Sequence, residues 1–182
     1  LTFTCVINNN KEEITIPTVG EHNIYNILAS IALALEFNIR VEDIIMSVKT
    51  LKATEHRLEL KKIGNINMLD DAYNSNPTGA KEALNVLGKM DGTKVIVTPG
   101  MVELGEKEDE ENYNLGIKIS EVCDYVILVG KKQTKSILKA LEDNNYEKDN
   151  IFIINNVRDA YKIIEALKEE KKEIYALFEK DL

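Results

Sequence analysis

The feature that most constrains the fold is a regular alternation of two sequence patterns after about residue 57. Four short apolar runs, rich in β-branched residues, occupy residues 94–97, 125–129, 151–154 and 174–178. Runs of this length and composition are typical of strands that are buried on both faces. Segments with apolar side chains at helical spacing separate them, at residues 78–90, 108–122, 134–144 and 157–168. This alternation predicts an α/β domain with a mostly parallel, Rossmann-like sheet and right-handed crossovers.

The first 54 residues have a different pattern. Two strand-like runs, residues 2–7 and 13–16, flank a turn of three consecutive asparagines and predict a hairpin. Two helices are predicted after it, at residues 23–37 and 41–51. A hairpin and two helices bury little apolar surface by themselves. We therefore interpret residues 1–54 as the end of a domain whose beginning lies upstream.

A second hairpin is predicted where the chain enters the alternating region. Its strands are residues 57–63 and 66–69, and its turn is formed by Gly64 and Asn65. We therefore expect a second domain of residues 55–182.

Charge and cysteine content exclude several classes of protein. The formal net charge is -8 and no run contains more than two basic residues, which argues against a nucleic-acid partner. Cys5 and Cys123 are the only cysteines, so neither a disulfide framework nor a Cys-rich metal site is expected. We expect both to be buried thiols in a reducing cytoplasm. No apolar stretch reaches 18 residues, so we expect no membrane span.

Missing motifs narrow the chemistry further. The sequence contains no Gly-x-x-x-x-Gly-Lys-Ser/Thr P-loop and no Gly-x-Gly-x-x-Gly dinucleotide motif. It also has no Gly-x-Ser-x-Gly turn, and His22 and His56 are its only histidines. Each histidine lies in a polar stretch, where a surface or hinge hydrogen bond is favoured over catalysis. Dehydrogenase and serine-hydrolase chemistry are therefore not expected.

A polar octet, Asp-Asp-Ala-Tyr-Asn-Ser-Asn-Pro at residues 70–77, links a predicted strand to a predicted helix. In open α/β sheets, ligands bind outside the carboxyl ends of the strands. Asp71 could accept hydrogen bonds from ribose hydroxyls, while Asn74, Ser75 and Asn76 could line the pocket beyond it. Asn76 could also cap the helix, with Pro77 at its first position.

Three further polar segments are candidates for binding. Asn23 and Asn26 would lie on neighbouring turns of one helix face, where an amide can pair with an adenine edge; for Asn23 a simple N-cap is an equal alternative. Arg57 could reach a phosphate or ribose, although an exposed salt bridge is favoured without further context. Residues 98–105 form a loop with two glycines around Met101 and Glu103, which predicts that its backbone closely approaches another group.

Together these segments resemble the Mur ligase family, the ATP-dependent amino-acid and peptide ligases of peptidoglycan precursor synthesis. The resembling segments are Gly-x-His-Asn-x-x-Asn at residues 20–26, Arg-Leu-Glu at 57–59, the octet at 70–77 and Met-Val-Glu-Leu-Gly at 101–105. Each is modest alone, but four in the family's order over most of the chain are specific. The octet favours the branch that adds D-alanyl-D-alanine.

The resemblance implies a three-domain enzyme of which this chain carries the end of the central ATPase domain, residues 1–54, and the C-terminal domain. The uridine-nucleotide domain and the P-loop, with its magnesium and lysine ligands, would lie upstream, so this fragment alone would be inactive. ATP would phosphorylate the carboxylate of a UDP-N-acetylmuramoyl tripeptide, and the amine of D-alanyl-D-alanine would attack the acyl phosphate.

The resemblance also implies roles for individual residues. Asn23 and Asn26 would hold the adenine, and Arg57 and Asp71 would contact the nucleotide, with Asp71 on the ribose. Closure of the C-terminal domain about residues 54–56 would complete the site. Tyr73, Asn74 and Asn76 would lie between the nucleotide and the acceptor. Met101 and Glu103 are candidates in the loop at residues 98–105. No catalytic residue and no metal ligand is expected in the chain itself.

Three alternatives stay open at this point. Another Mur-type branch would use a different acceptor. A non-catalytic Rossmann-like module would bind a nucleotide or partner without turnover. A receiver-like signalling domain would use Asp70, Asp71 and Lys131, but the strand at 125–129 ends in Gly130 where that chemistry needs an aspartate.

Overall fold

The computed structural model describes residues 1–16, 18–64, 66–72, 76–170 and 173–179, with the side chains of all but residues 168–170. The chain divides into two compact units, an amino-terminal unit of Leu1–Glu55 and a carboxyl-terminal unit of His56–Leu182. None of the helices in these described segments is both long and apolar enough to cross a membrane.

The amino-terminal unit contains the predicted hairpin and two helices. Strands β1 (Thr2–Ile7) and β2 (Asn10–Thr15) pair antiparallel, and helices α1 (His22–Glu36) and α2 (Val41–Lys49) follow. The second strand begins three residues earlier than predicted, because Asn8 and Asn9 alone form the turn. Both adopt left-handed φ angles, 48° and 67°, which asparagine tolerates well in two-residue hairpin turns. The core of this unit is formed by Cys5, Ile7, Ile14, Ile16, Ile27, Ile31, Ile44 and Val48.

The carboxyl-terminal unit alternates strands and helices, as predicted. Its elements are β3 (Glu59–Ile63), β4 (Ile66–Asp71), α3 (Pro77–Gly88), β5 (Thr93–Thr98), α4 (Glu108–Val122), β6 (Tyr125–Val129), α5 (Lys135–Asp143), β7 (Ile151–Ile154), α6 (Arg158–Glu170) and β8 (Ile174–Glu179). The sheet order is β3-β4-β8-β5-β6-β7. Only β3 runs antiparallel to its neighbour, and the other strand pairs are parallel. The predicted α/β class with a mostly parallel sheet is confirmed.

The sheet is buried on both faces, which explains why its strands read as continuous apolar runs. One face packs on α6 through Ala160, Ile164 and Leu167, against strand residues that include Val97 and Ala176. The alternate strand residues, among them Leu69, Ile96 and Leu177, are fully buried on the opposite face. Helix α3 packs against β8 and α4, and α4 packs against α5. Both cysteines are buried free thiols, as expected.

The parallel strands end at one edge of the sheet, and several of their last residues are polar. Strand β4 ends in Asp71, which is the register partner of Glu179, the last residue of β8. Strand β5 ends in Thr98 on the other side of β8. This carboxyl edge therefore brings two carboxylates and a hydroxyl from three neighbouring strands close together, and the candidate site is built there.

Candidate functional site

Asp70 and Asp71 are consecutive and point to opposite faces of the sheet, so they have different partners. The Asp70 carboxylate is buried and lies 2.9 Å from His56 Nδ1 and 2.7 Å from Lys61 Nζ. Lys61 Nζ also lies 2.9 Å from the Glu59 carboxylate. Glu59 is the register partner of Asp70 on β3, so these four side chains form one charged cluster at the strand end.

The ion pair of Asp70 and Lys61 favours its charged form. Burial alone would raise the pKa of Asp70, but the hydrogen bonds from Lys61 and His56 together outweigh it, and the pKa lies below the usual carboxyl value. Hydrogen bonds to Asp70 and Glu59 raise the pKa of Lys61. Both partners of the Asp70–Lys61 ion pair therefore remain charged at neutral pH.

Asp71 accepts a hydrogen bond from the backbone N–H of Leu58 at 3.0 Å. His56 and Leu58 both have left-handed φ angles, 58° and 50°. For residues other than glycine this conformation is strained, and it persists only where the surroundings enforce it. Asp70 holds the ring of His56 and Asp71 holds the backbone of Leu58, so the two carboxylates fix both neighbours of Arg57. We call residues 56–58 the Arg57 turn.

The structure qualifies the sequence-derived roles of this segment. Asp71 is half-buried and already serves a backbone donor, but a carboxylate has about four acceptor positions. A ribose contact is therefore chemically compatible with the Leu58 bond. Glu59 pairs with Lys61. The Asp70 cluster was not predicted. Glu59 and Lys61 are two residues apart on a predicted strand that pairs with the strand of Asp70, and this spacing could have indicated a cross-strand ion pair.

Asn76 caps α3, which confirms the predicted cap. Its φ and ψ angles are -142° and 160°, its Oδ1 accepts from the Gly79 N–H at 2.9 Å, and Pro77 follows at the helix start. The amide oxygen of Asn76 is therefore engaged by the helix. Tyr73, Asn74 and Ser75 lie outside the described residues.

In the amino-terminal unit, Asn23 is not an N-cap, so that alternative is wrong. Glu21 occupies the cap position of α1 without a side-chain capping bond. The Asn23 Nδ2 donates to the Val19 carbonyl at 2.7 Å, which orients the amide while leaving it one more donor hydrogen and an acceptor oxygen. Asn26 lies one turn later and is exposed.

The loop after β5 is anchored by buried polar contacts. Thr98 Oγ1 donates to Glu179 Oε2 at 2.7 Å and accepts from the Gly100 N–H at 3.0 Å. Met101 is only 2% exposed, so its side chain belongs to the interior. Glu103, by contrast, is exposed and has a left-handed φ of 65°.

Asn112 of α4 is a further contact that the sequence did not predict. It is 2% exposed, accepts from the Met101 N–H at 2.8 Å and donates to the Met101 carbonyl at 2.8 Å. Its Nδ2 also donates to the Glu108 carbonyl at 2.9 Å. Asn112 follows directly after an acidic run typical of a solvated helix start, which is why no sequence signal marked it.

No metal site is built from the parts of the chain described above. They contain no group of three His, Cys, Asp or Glu side chains arranged to hold an ion. The acidic residues at 108–111 form the first turn of α4, where negative charge is favoured by the helix dipole.

Comparisons with known proteins agree on one family. A family model described as "Mur ligase, glutamate ligase domain" matches residues 56–175. The UDP-N-acetylmuramoyl-tripeptide–D-alanyl-D-alanine ligase of Bacillus subtilis is 34% identical over 158 residues, covering 85% of this chain and 34% of that protein. The enzyme of the same name from Escherichia coli is 32% identical over 132 residues, covering 71% of this chain and 29% of its own length.

Solved structures show the same fold. MurF from Acinetobacter baumannii superposes with a TM-score of 0.84 at 24% identity, covering 99% of this chain and 39% of that one. The MurF ligase of Thermotoga maritima, determined in complex with ADP, gives 0.79 at 22% identity, covering 98% and 39%. The chain spans about a third of the length of the curated relatives that it matches.

Proposed function

Because this chain belongs to the Mur ligase family, we propose that it supplies the carboxyl-terminal part of an ATP-dependent ligase that adds D-alanyl-D-alanine to a UDP-N-acetylmuramoyl tripeptide. The observation that carries the proposal is the pair of carboxylates, Asp70 and Asp71, at the carboxyl edge of a parallel sheet, where they hold the Arg57 turn. This is the edge at which α/β domains bind their ligands. Membership of the family removes the receiver-like alternative.

We assign the nucleotide contacts as follows. Asp71 accepts from the ribose hydroxyls, and Arg57 contacts the nucleotide from a turn whose conformation is already set. Pre-organisation lowers the entropy that binding would otherwise cost. Asn23 and Asn26 offer amides to the adenine edge, and residues 1–54 form the end of an ATP-binding domain. Nucleotide binding is supported by the ADP complex of the Thermotoga maritima relative.

In the proposed reaction, the γ-phosphoryl group of ATP passes to the carboxylate of the muramoyl peptide, giving an acyl phosphate and ADP. The amine of D-alanyl-D-alanine then attacks the acyl carbon through a tetrahedral intermediate, loses a proton, and expels inorganic phosphate as the amide bond forms. This chain binds and orients the reactants. Tyr73, Asn74 and Asn76 are proposed for the seam between nucleotide and acceptor.

Magnesium neutralises phosphate charge in phosphoryl transfer of this kind. As the family resemblance implies, we assign its ligands to the part of the ligase that this chain, about a third of the length of its relatives, does not span.

The acceptor can be tested on the product of the complete reading frame that contains this chain. We expect ADP release that depends on both the UDP-muramoyl tripeptide and D-alanyl-D-alanine. D-glutamate with UDP-N-acetylmuramoyl-alanine, and L-alanine with UDP-N-acetylmuramate, are the matched controls, since ligases named for those acceptors share 30% identity over 159 residues and 38% over 91 residues. Turnover with either control would assign another branch.

The same experiment separates catalysis from simple binding. If the complete protein bound ATP but released no ADP with any of the acceptors tested, the result would support a non-catalytic module. The 182-residue chain alone should show no ligase activity and at most weak ATP binding, because it has no P-loop. Micromolar ATP affinity of this chain in isothermal titration would contradict that expectation.

A further inference from the structure

We infer that Lys61, on the edge strand β3, is a positioning residue for nucleotide binding, which acts through Asp70 and His56 on the Arg57 turn. Lys61 would touch no substrate itself and would instead set the direction from which Arg57 approaches the nucleotide. The inference rests on the proposed function, because it presupposes the nucleotide contact assigned to Arg57.

Lys61 allows two carboxylates to face each other across neighbouring strands. Glu59 and Asp70 are register partners on β3 and β4, which puts their Cβ atoms about 5 Å apart. Like charges in directly opposite positions destabilise a strand pair. The ammonium group of Lys61 lies 2.7 Å from the Asp70 carboxylate and 2.9 Å from that of Glu59. It therefore neutralises a repulsion that would otherwise drive the Asp70 carboxylate out of its observed orientation.

The orientation of Asp70 is set by donors from three different parts of the chain. Lys61 Nζ donates to Oδ2, the Ala72 N–H donates to Oδ1 at 3.3 Å, and His56 Nδ1 lies 3.1 Å and 2.9 Å from the two oxygens. Asp70 is buried, so an oxygen that loses a donor is not readily rehydrated. Loss of the Lys61 ammonium should therefore let the carboxylate rotate and weaken its contact with His56.

The His56 end of the Arg57 turn depends on this contact more than the Leu58 end does. Leu58 is only 4% exposed, and the Asp71 carboxylate accepts from its N–H. The His56 side chain is 54% exposed, so the contact with Asp70, rather than burial, holds it. His56 also has a left-handed φ of 58°, a conformation that persists only where the surroundings enforce it. Arg57 should therefore shift when the hold on His56 is weakened.

The test begins with steady-state kinetics of the complete ligase. Lys61→Met should raise the KM for ATP about 3-fold or more and leave the KM for D-alanyl-D-alanine within about 2-fold, because a displaced Arg57 weakens a nucleotide contact. Lys61→Arg keeps the charge and should restore the KM for ATP to within about 2-fold of wild type. Lys61→Gln removes the charge but stays polar, so it should act like Lys61→Met and covers the case in which the methionine variant folds poorly.

Lys62→Met is the matched control. Lys62 follows directly on β3, its side chain projects to the opposite face of the sheet from that of Lys61, and it is exposed. Its replacement removes the same charge from the same strand and should change neither KM value. Equal effects of Lys61→Met and Lys62→Met would overturn the inference, because they would reflect net charge rather than the contact with Asp70.

A double-mutant cycle tests whether Lys61 acts through Arg57. Isothermal titration of the complete ligase with ATP, without peptide substrates, gives the dissociation constant in each background. Lys61→Met should weaken ATP binding about 3-fold or more in the wild type but by less than about 1.5-fold in an Arg57→Ala background, because the residue through which it acts is gone. An equal loss in both backgrounds would overturn the inference.

The remaining outcomes separate this role from a structural one and from the proposed function. A purely structural role would lower the amount of folded enzyme while the KM for ATP stayed unchanged, or would raise both KM values together, and either result would overturn the inference. An unchanged KM for ATP in Lys61→Met would do the same and leave the ligase function intact. Absence of acceptor-dependent ADP release in the wild type, or unchanged ATP affinity in Arg57→Ala, would instead contradict the proposed function on which the inference rests.

Discussion

The carboxylate of Asp71 accepts a hydrogen bond from the backbone N–H of Leu58, with 3.0 Å between Oδ1 and N. Its neighbour Asp70 binds the ring of His56, so two consecutive residues at one strand end fix both sides of Arg57. The left-handed φ angles of His56 and Leu58 show that this turn is held against its local preference. The adjacent carboxylates of the octet therefore have a structural task as well as the nucleotide contact proposed for Asp71.

Asp70→Asn should destabilise the carboxyl-terminal unit. Breaking a fully buried ion pair costs about 3–5 kcal/mol, and solvent reduces the effect here because His56 and Lys61 are partly exposed. We expect a loss of about 1–2 kcal/mol in the free energy of unfolding, measured by urea denaturation of the 182-residue chain. Asp149→Asn, at an exposed site, is the control and should stay within about 0.5 kcal/mol of wild type. Equal stability of the two variants would contradict a stabilising role for the cluster.

The difference between wild type and Asp70→Asn should depend on pH in a defined direction. Because the pKa of Asp70 is lowered in the folded state, its contribution is present above the ordinary carboxyl pKa and is lost as the pH falls through the folded value. The urea midpoints of the two proteins should therefore differ most near neutral pH and converge below about pH 4. If the difference between the two urea midpoints grew on acidification, the pKa of Asp70 would not be lowered in the folded state.

Asn76→Ala should remove the cap of α3 and cost about 1 kcal/mol, because the Gly79 N–H loses its acceptor. Asn76→Asp keeps an acceptor oxygen and should retain most of the stability. Thermal unfolding followed by circular dichroism measures both. If Asn76→Asp is as destabilised as Asn76→Ala, the contact to Gly79 is not what stabilises the helix start.

Gly100 and Gly105 offer a test of the anchored loop. Both have left-handed φ angles, 78° and 59°, so alanine is strained at either site. A Cβ at Gly100 would also lie 2.8 Å from Asn112 Oδ1, whereas a Cβ at Gly105 has no atom within 4 Å. We expect Gly105→Ala to cost about 1 kcal/mol and Gly100→Ala at least about 1 kcal/mol more. If urea denaturation gave the same loss of unfolding free energy for both variants, the contact with Asn112 would not restrict the side chain at position 100.

Local patterns in the sequence predicted most of the elements. Tyr125–Val129, Ile151–Ile154 and Glu108–Val122 have the predicted bounds, because apolar runs and helical spacing are local properties. Several other ends differ by one to three residues, as for α2, which ends at Lys49 rather than residue 51. The order of the strands was not predictable, since the insertion of β8 between β4 and β5 depends on long-range packing.

The candidate site was predicted less completely than the fold. The octet predicted the Asn76 cap, which is confirmed, and marked Asp71 as a candidate whose nucleotide role stays a prediction. The partners Lys61, Asn112 and Glu179 come from other elements, and their contacts exist only after the sheet has formed. Thr98 and Glu179, for example, are 81 positions apart in the sequence, so no local pattern predicts that they are hydrogen-bonded.

The most direct test of the account is the ATP dependence of the complete ligase carrying Asp71→Ala, with Asp71→Asn as the matched control. Asp71→Ala should raise the KM for ATP about 10-fold or more, far more than the KM for D-alanyl-D-alanine, because the ribose loses its charged acceptor. Asp71→Asn keeps one acceptor oxygen for Leu58, so its KM for ATP should lie between those of the wild type and Asp71→Ala. An unchanged KM for ATP in a folded Asp71→Ala enzyme would contradict the nucleotide role on which the proposed site is built.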